Sequence, residues 1–264
     1  MSSQAATTQG LWMGPIANGA TPRPRAADRR FEPVALLDID PELAIGLADG
    51  EERLARRHLI VPSVRVDADP WSPPDDFRTA LGLLVMSGVL ICTSRAFAVP
   101  DIQLFGPGDV FDSRLLCERA TTWRALVPAH VAILDGRFLL AARRWPQLMS
   151  GLARRLFEGQ QEQHRLATIR ALPRVEQRLM ALLSHLASRW GSVTRDGLVI
   201  MLPATHQLLG ELVGARRPTV SLALTVLKEQ NLVSRQSDGR WLLPRDSTDW
   251  ATIGVPSDRR FTRA

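Results

Sequence analysis

Arg216 and Arg217 directly precede Pro218, and Thr219 and Ser221 follow within one turn. An arginine's planar fork can pair bidentately with O6 and N7 of a guanine, a contact worth roughly 1–3 kcal/mol of discrimination. Hydroxyls and a helix N-terminus serve phosphates. Arg235 and Arg240 bracket Ser237-Asp238-Gly239, and Thr205 stands eleven residues ahead of Arg216. Other pairings do not assemble into chemistry. Gly106-Pro107-Gly108 opens like a dinucleotide fingerprint, but Phe111 occupies the third glycine position. Met86-Ser87-Gly88 lacks the first glycine that a nucleophile elbow needs. Asp75-Asp76 and Glu51-Glu52 read as solvated charges. His58, His130, His164, His185 and His206 share no metal-ligand spacing, and Cys92 and Cys117 form no C-x-x-C. The residues predict no enzyme, no cofactor and no metal.

The elements that must position the arginines are legible around them. Thr205 can cap a helix over His206–Val213, and Gly214 can take the left-handed conformation that ends it. A second helix begins at Arg217-Pro218, where a proline is tolerated, and runs to Glu229 with Val220, Leu224 and Leu227 as its buried stripe. Leu232–Arg235 and Arg240–Leu243 then flank an Asp-Gly turn, the signal of a hairpin. Helix, glycine turn, helix and basic hairpin make a winged helix-turn-helix. Its predicted DNA contacts are Thr205, Arg216, Arg217, Thr219, Ser221, Arg235 and Arg240. A winged helix that docks a protein partner instead of DNA is the competing reading.

Upstream, Pro146 can open a long helix in which Met149, Leu152, Leu156, Gly159, Gln163 and Leu166 recur at spacings of three and four. This imperfect heptad seam predicts a homodimer interface; one face packed on its own domain is the alternative. Pro173 ends that helix and starts another over Val175–Trp190. Residues 59–134 read as short strands bounded by Gly, Pro and Asp, at Ile60-Val61, Val64–Val66, Leu83–Val85, Val89–Cys92, Ile102–Phe105, Trp123–Val127 and Val131–Leu134. That spacing suggests a small antiparallel barrel or jelly roll, an α+β chain overall. Asp67–Asp76 reads as a loop, and Phe31–His58 as helical. The expected division is a disordered tail over 1–30, a sensor barrel over 31–144, a dimerisation helix over 145–172, a DNA-binding domain over 173–245 and a flexible tail over 246–264.

A chain of 264 residues can bury two modest cores. Its net charge of +6 comes almost wholly from arginine, since Lys228 is the only lysine. Such a balance suits nucleic acid or an anionic surface, and a GC-rich coding sequence would produce the same bias. The N-terminus lacks the basic and apolar regions of a signal peptide, and the longest apolar run, Leu81–Cys92, is too short to span a bilayer. A cytoplasmic protein with no membrane partner is expected.

Over Thr205–Leu243 the sequence resembles the cyclic-AMP receptor protein/fumarate-nitrate reductase regulator (Crp/Fnr) family. Its T-x-x-x-L-G-x-x-V-G pattern stands here as Thr205, Leu209, Gly210, Val213 and Gly214, followed by Arg217, Thr219, Val220 and Ser221, then Leu227-Lys228 and Leu232-Val233. Pro218 replaces the family's glutamate and Leu222 its second arginine, which implies a different operator. Phe105–Phe111 resembles the family's P-G-D-x-F turn, and Arg154-Arg155-Leu156 falls where its long helix begins to face the ligand. The resemblance implies a cyclic-nucleotide-binding-like barrel, a dimerisation helix and a winged DNA-binding domain, acting as a homodimer on a palindromic double-stranded DNA site. RNA polymerase is a further candidate partner. The family's nucleotide cassette is degenerate: Asp112-Ser113 replace Gly-Glu, Arg119-Ala120 replace Arg-Ser or Arg-Thr, and Gly159-Gln160 stand where the purine is read. Those positions, Asp112, Ser113, Arg119, Gly159 and Gln160, are the candidate effector site. They argue against cyclic AMP and leave open an unknown effector, none at all, or a cyclic nucleotide in a divergent pocket. The cysteines of an oxygen-sensing cluster are missing.

Overall fold

The computed structural model describes residues 31–244, apart from 68–69, 74–76, 78, 97–99 and 119. The two expected tails and Arg119 lie outside the described residues. The strand β1 (Glu32–Ala35) leads into a one-turn helix α1 (Leu36–Ile39), a 3-10 turn (Pro41–Ala44) and α2 (Asp49–His58). The helical reading of this segment thus misses β1, which pairs antiparallel with β2 (Ile60–Val66). Its four residues are too few to show a period of two.

The expected short strands merge into two long ones, β4 (Gly82–Ser94) and β7 (Thr121–Leu134), paired along most of their length. They break register around Ser87 and Val89, where Gly88 takes φ +78° against Pro128 of β7. A Cβ on Gly88 would stand 2.2 Å from the Pro128 carbonyl oxygen, so this bulge tolerates only glycine. Gly and Pro therefore mark a bend, not strand ends. Beyond it the partners change. The first part of β4 pairs with β6 (Val110–Asp112) and the last part with β5 (Asp101–Phe105); the start of β7 pairs with β3 (Pro70–Trp71) and its end with β2. β3 lies in the stretch read as loop. The result is a jelly-roll-like antiparallel sheet of seven strands, and among the described residues its path from β1 to β5 does not close into the expected barrel.

Aromatic rings cluster on one side of the sheet. Phe111 packs on Phe105 at 4.7 Å and on Trp123 at 5.0 Å, with Trp71 edge-on to Trp123. A second cluster covers the other side with α1, α2, α3 (Gly136–Ala142) and the start of α4 (Pro146–Arg170). A third joins β4, β5 and the end of α4 to α5 (Val175–Trp190) and to the buried residues from Ile200 to Leu243.

α4 and α5 match their expected spans. The seam face of α4 is spent largely within the chain. Leu152 and Leu166 are 1% and 8% exposed, Met149 and Leu156 pack partly buried, and Gly159 lies beside the Val110 carbonyl; only Gln163 is exposed. The chain's own sheet and helices occupy what the spacing offered to a partner. The opposite stripe is open: Ser150, Ala153, Phe157, Gln161, His164 and Thr168 are exposed, Phe157 to 71%. Arg155 is buried, held by Asp40, Glu42 and the carbonyl of Gly108.

Candidate nucleic-acid interface

Thr205 accepts a hydrogen bond from the Leu208 amide at 3.2 Å and so caps α6 (His206–Val213). Gly214 ends the helix at φ +67°, ψ 43°. The Ala215 amide then closes back on the Gly210 carbonyl at 2.8 Å, and a Cβ on Gly210 would approach the Ala215 oxygen to 2.5 Å. Two arginines secure the last carbonyls of α6: Arg170 donates to Leu212 at 2.9 Å and Arg178 to Val213 at 3.3 Å. Cations at a helix C-terminus are the favourable arrangement.

α7 spans Arg217–Glu229, with Pro218 in its first turn and Arg216 as its N-cap residue. Val220, Ala223, Leu224 and Leu227 are buried, as the stripe predicts apart from the added Ala223. Behind the helices, β8 (Ser192–Val193), β9 (Gly197–Ile200), β10 (Ser234–Arg235) and β11 (Trp241–Pro244) form a sheet in the order β10-β11-β9-β8. The wing turn closes through Gln236 N donating to Arg240 O at 2.8 Å, with Gly239 at φ +86°. Trp241 anchors it by donating from Nε1 to the Leu202 carbonyl at 3.1 Å.

Arg216, Arg217, Thr219, Thr205 and Arg235 are exposed, on the N-terminal ends of the two helices and on the wing. Thr205, Arg217 and Arg235 line one concave, cationic surface together with His206 and Gln207. Two predicted contacts are otherwise engaged. The Ser221 hydroxyl donates to the Arg217 carbonyl at 3.1 Å and lies 2.8 Å from His206 Nδ1. Arg240 is paired with Asp238, whose carboxyl is held below its usual range by the Arg240 amide and guanidinium. His206 and Gln207 were not singled out from sequence, because a polar residue in a helix's first turn carries no distinguishing spacing. Leu222 registers there only as a departure from the family pattern; in the structure it is 67% exposed on the outer face of α7.

The four described candidate effector residues lie on β6, on the turn after it and on α4, which packs against β6. Asp112 accepts from the amide and guanidinium of Arg114, which hold its carboxyl below the usual range. Ser113 is buried and donates to the Ala80 carbonyl at 2.6 Å. Gly159 and Gln160 lie on α4, Gln160 exposed. Gly159 instead borders a small cavity shared with Phe105, Asp109, Glu162, His185 and Arg189. There Arg189 pairs with Asp109 at 2.5 Å and with Glu162 at 3.5 Å, and Glu162 also bonds His185. Burial raises the Glu162 carboxyl, but His185 and Arg189 outweigh it and hold the group below its ordinary value.

Residues 177–246 match the family model described as the Crp-like helix-turn-helix domain. No curated protein sequence matches the chain. Among solved structures, a mutant of CooA from Carboxydothermus hydrogenoformans is similar in fold, with 17% identity and a TM-score of 0.58 over 85% of this chain and 96% of that one. FixK2 from Bradyrhizobium japonicum superposes with a TM-score of 0.59 at 16% identity, over 76% of this chain and 100% of that one. A CRP-family transcriptional regulator from Thermus thermophilus, TTHB099, does so with a TM-score of 0.56 at 16% identity, covering 74% and 98%. Among the described residues no helix is long and apolar enough to cross a membrane.

Proposed function

Residues 177–246 are a Crp-like helix-turn-helix domain in a chain with the fold of the Crp/FNR transcription regulators, and from that premise we propose that the protein is a sequence-specific DNA-binding transcription regulator of the cytoplasm that binds a palindromic operator as a homodimer. One observation carries the reading. The exposed first turn of α7 brings Arg217 onto the same cationic surface as Thr205, His206 and the wing's Arg235. A helix N-terminus that presents an arginine to base edges while a wing arginine faces a phosphate is a major-groove reader. Arg217→Ala is expected to weaken operator binding by about 1–3 kcal/mol and relax specificity at one base pair. Arg235→Gln should weaken all sequences alike and lower the salt slope by about one. Unchanged affinity of Arg217→Ala for every sequence tested would remove the assignment.

Support for the dimer is the open stripe of α4, with Phe157 as its apolar anchor. Control by something other than cyclic AMP draws support from Asp112 and Ser113, whose polar atoms are engaged within the chain, and from the aromatic rings that cluster on one side of the sheet. Calorimetric titration with cyclic AMP is expected to give no saturable heat; a micromolar isotherm would overturn this part.

A further inference from the structure

α7 turns an outward stripe of Thr219, Leu222 and Thr225 away from its buried face. A single exposed leucine is ordinary on a protein surface. What sets this one apart is its place and its neighbours' chemistry. It lies at the middle of the helix whose first turn carries Arg217, and the hydroxyls on either side of it are already committed. Ser221 gives its proton to the Arg217 carbonyl, and Thr225 gives its own to the Ser221 carbonyl at 3.1 Å. From 221 to 225 the outward face therefore offers methyl groups and no free donor. Among base-pair edges in the major groove, the C5-methyl group of thymine is the apolar feature.

We propose that Leu222 is a specificity-determining residue that reads the thymine methyl at one fixed step of each half-site, next to the base pair taken by the arginines. The inference rests on the DNA-binding reading above and adds to it the chemistry of one base. The alternation is then a donor-rich first turn for guanine and an apolar second turn for thymine.

The test uses the full-length protein and the operator it enriches from a random library. Each thymine is replaced in turn by uracil, which removes only the methyl group. Wild type should lose about fourfold in affinity per half-site at one symmetry-related thymine, the worth of one buried carbon. Leu222→Ala should bind thymine and uracil operators equally. Since Leu222 is exposed, that variant should melt with wild type, which a thermal scan checks. If no uracil replacement weakens wild type, or if Leu222→Ala still discriminates, the inference is overturned while the regulator reading stands. If no sequence is enriched at all, both fall.

Discussion

His206 is flanked by two permanent cations, and its two ring nitrogens have unequal roles. The Ser221 hydroxyl proton is taken by the Arg217 carbonyl, so Ser221 accepts from Nδ1–H of His206. In the neutral imidazole Nε2 is then a bare acceptor, which repels a phosphate; protonation makes it a donor. Burial, then Arg235 and Arg217, hold the ring below its ordinary value in the free protein. A phosphate against the same surface raises that value. Between the two values binding takes up a proton, so affinity should rise as pH falls through that interval, by up to tenfold for each pH unit it spans. Above both values, or below both, the dependence vanishes. Arg217 and Arg235 stay charged throughout, so His206→Gln should flatten the profile; an unchanged profile in that variant excludes His206 as its source. The arginines of this surface were legible in sequence because arginine beside a helix start has few other uses. The partners that Ser221 and Arg240 have within the chain were not legible, because the Arg217 carbonyl and His206 reach Ser221 only through the fold, and a two-residue turn does not fix the Arg240–Asp238 pair.

Among elements, the turn between α6 and α7 makes a ranked prediction. Gly214 has positive φ but open space, so Gly214→Ala should cost about 1 kcal/mol. At Gly210 the added Cβ meets backbone oxygen, so Gly210→Ala should cost about 1–3 kcal/mol and melt lower than Gly214→Ala. Thermal unfolding of both variants checks the order; the reverse order would contradict the packing. For α4, Phe157→Glu should shift the protein to monomer in sedimentation equilibrium, whereas an unchanged mass would place the interface elsewhere. The spans of α4 to α7 were readable because proline, threonine and glycine punctuate them at every end but the last, where Asn231 takes positive φ just after α7. Which face of α4 stays free was not, since Leu152 and Leu166 have the same spacing whether their cover is a partner or the chain's own sheet. Gly88 and Pro128 misled for the opposite reason: breakers on paired strands produce one shared bulge, and pairing is invisible along a single sequence.

At the scale of the whole molecule, one apolar cluster runs from β4 and β5 through α4 and α5 into the helix-turn-helix, so sensor-like and DNA-binding parts share a core. Arg189 reinforces that joint, bridging Asp109 on the β5–β6 turn and Glu162 on α4. Arg189→Met leaves the mostly buried Asp109 carboxylate without a cation and Glu162 with His185 alone, and should destabilise the chain by about 3 kcal/mol, the low end for breaking a buried pair. A denaturant midpoint equal to wild type would show the pair to be solvent-screened. The most direct measurement of the central claim is enrichment of DNA from a random library by the purified full-length protein with no ligand added. A palindrome with half-sites about one helical turn apart is the expected result, since two recognition helices related by a dimer axis demand it. Recovery of no preferred sequence, with Arg217→Ala binding bulk DNA as well as wild type does, would contradict the account.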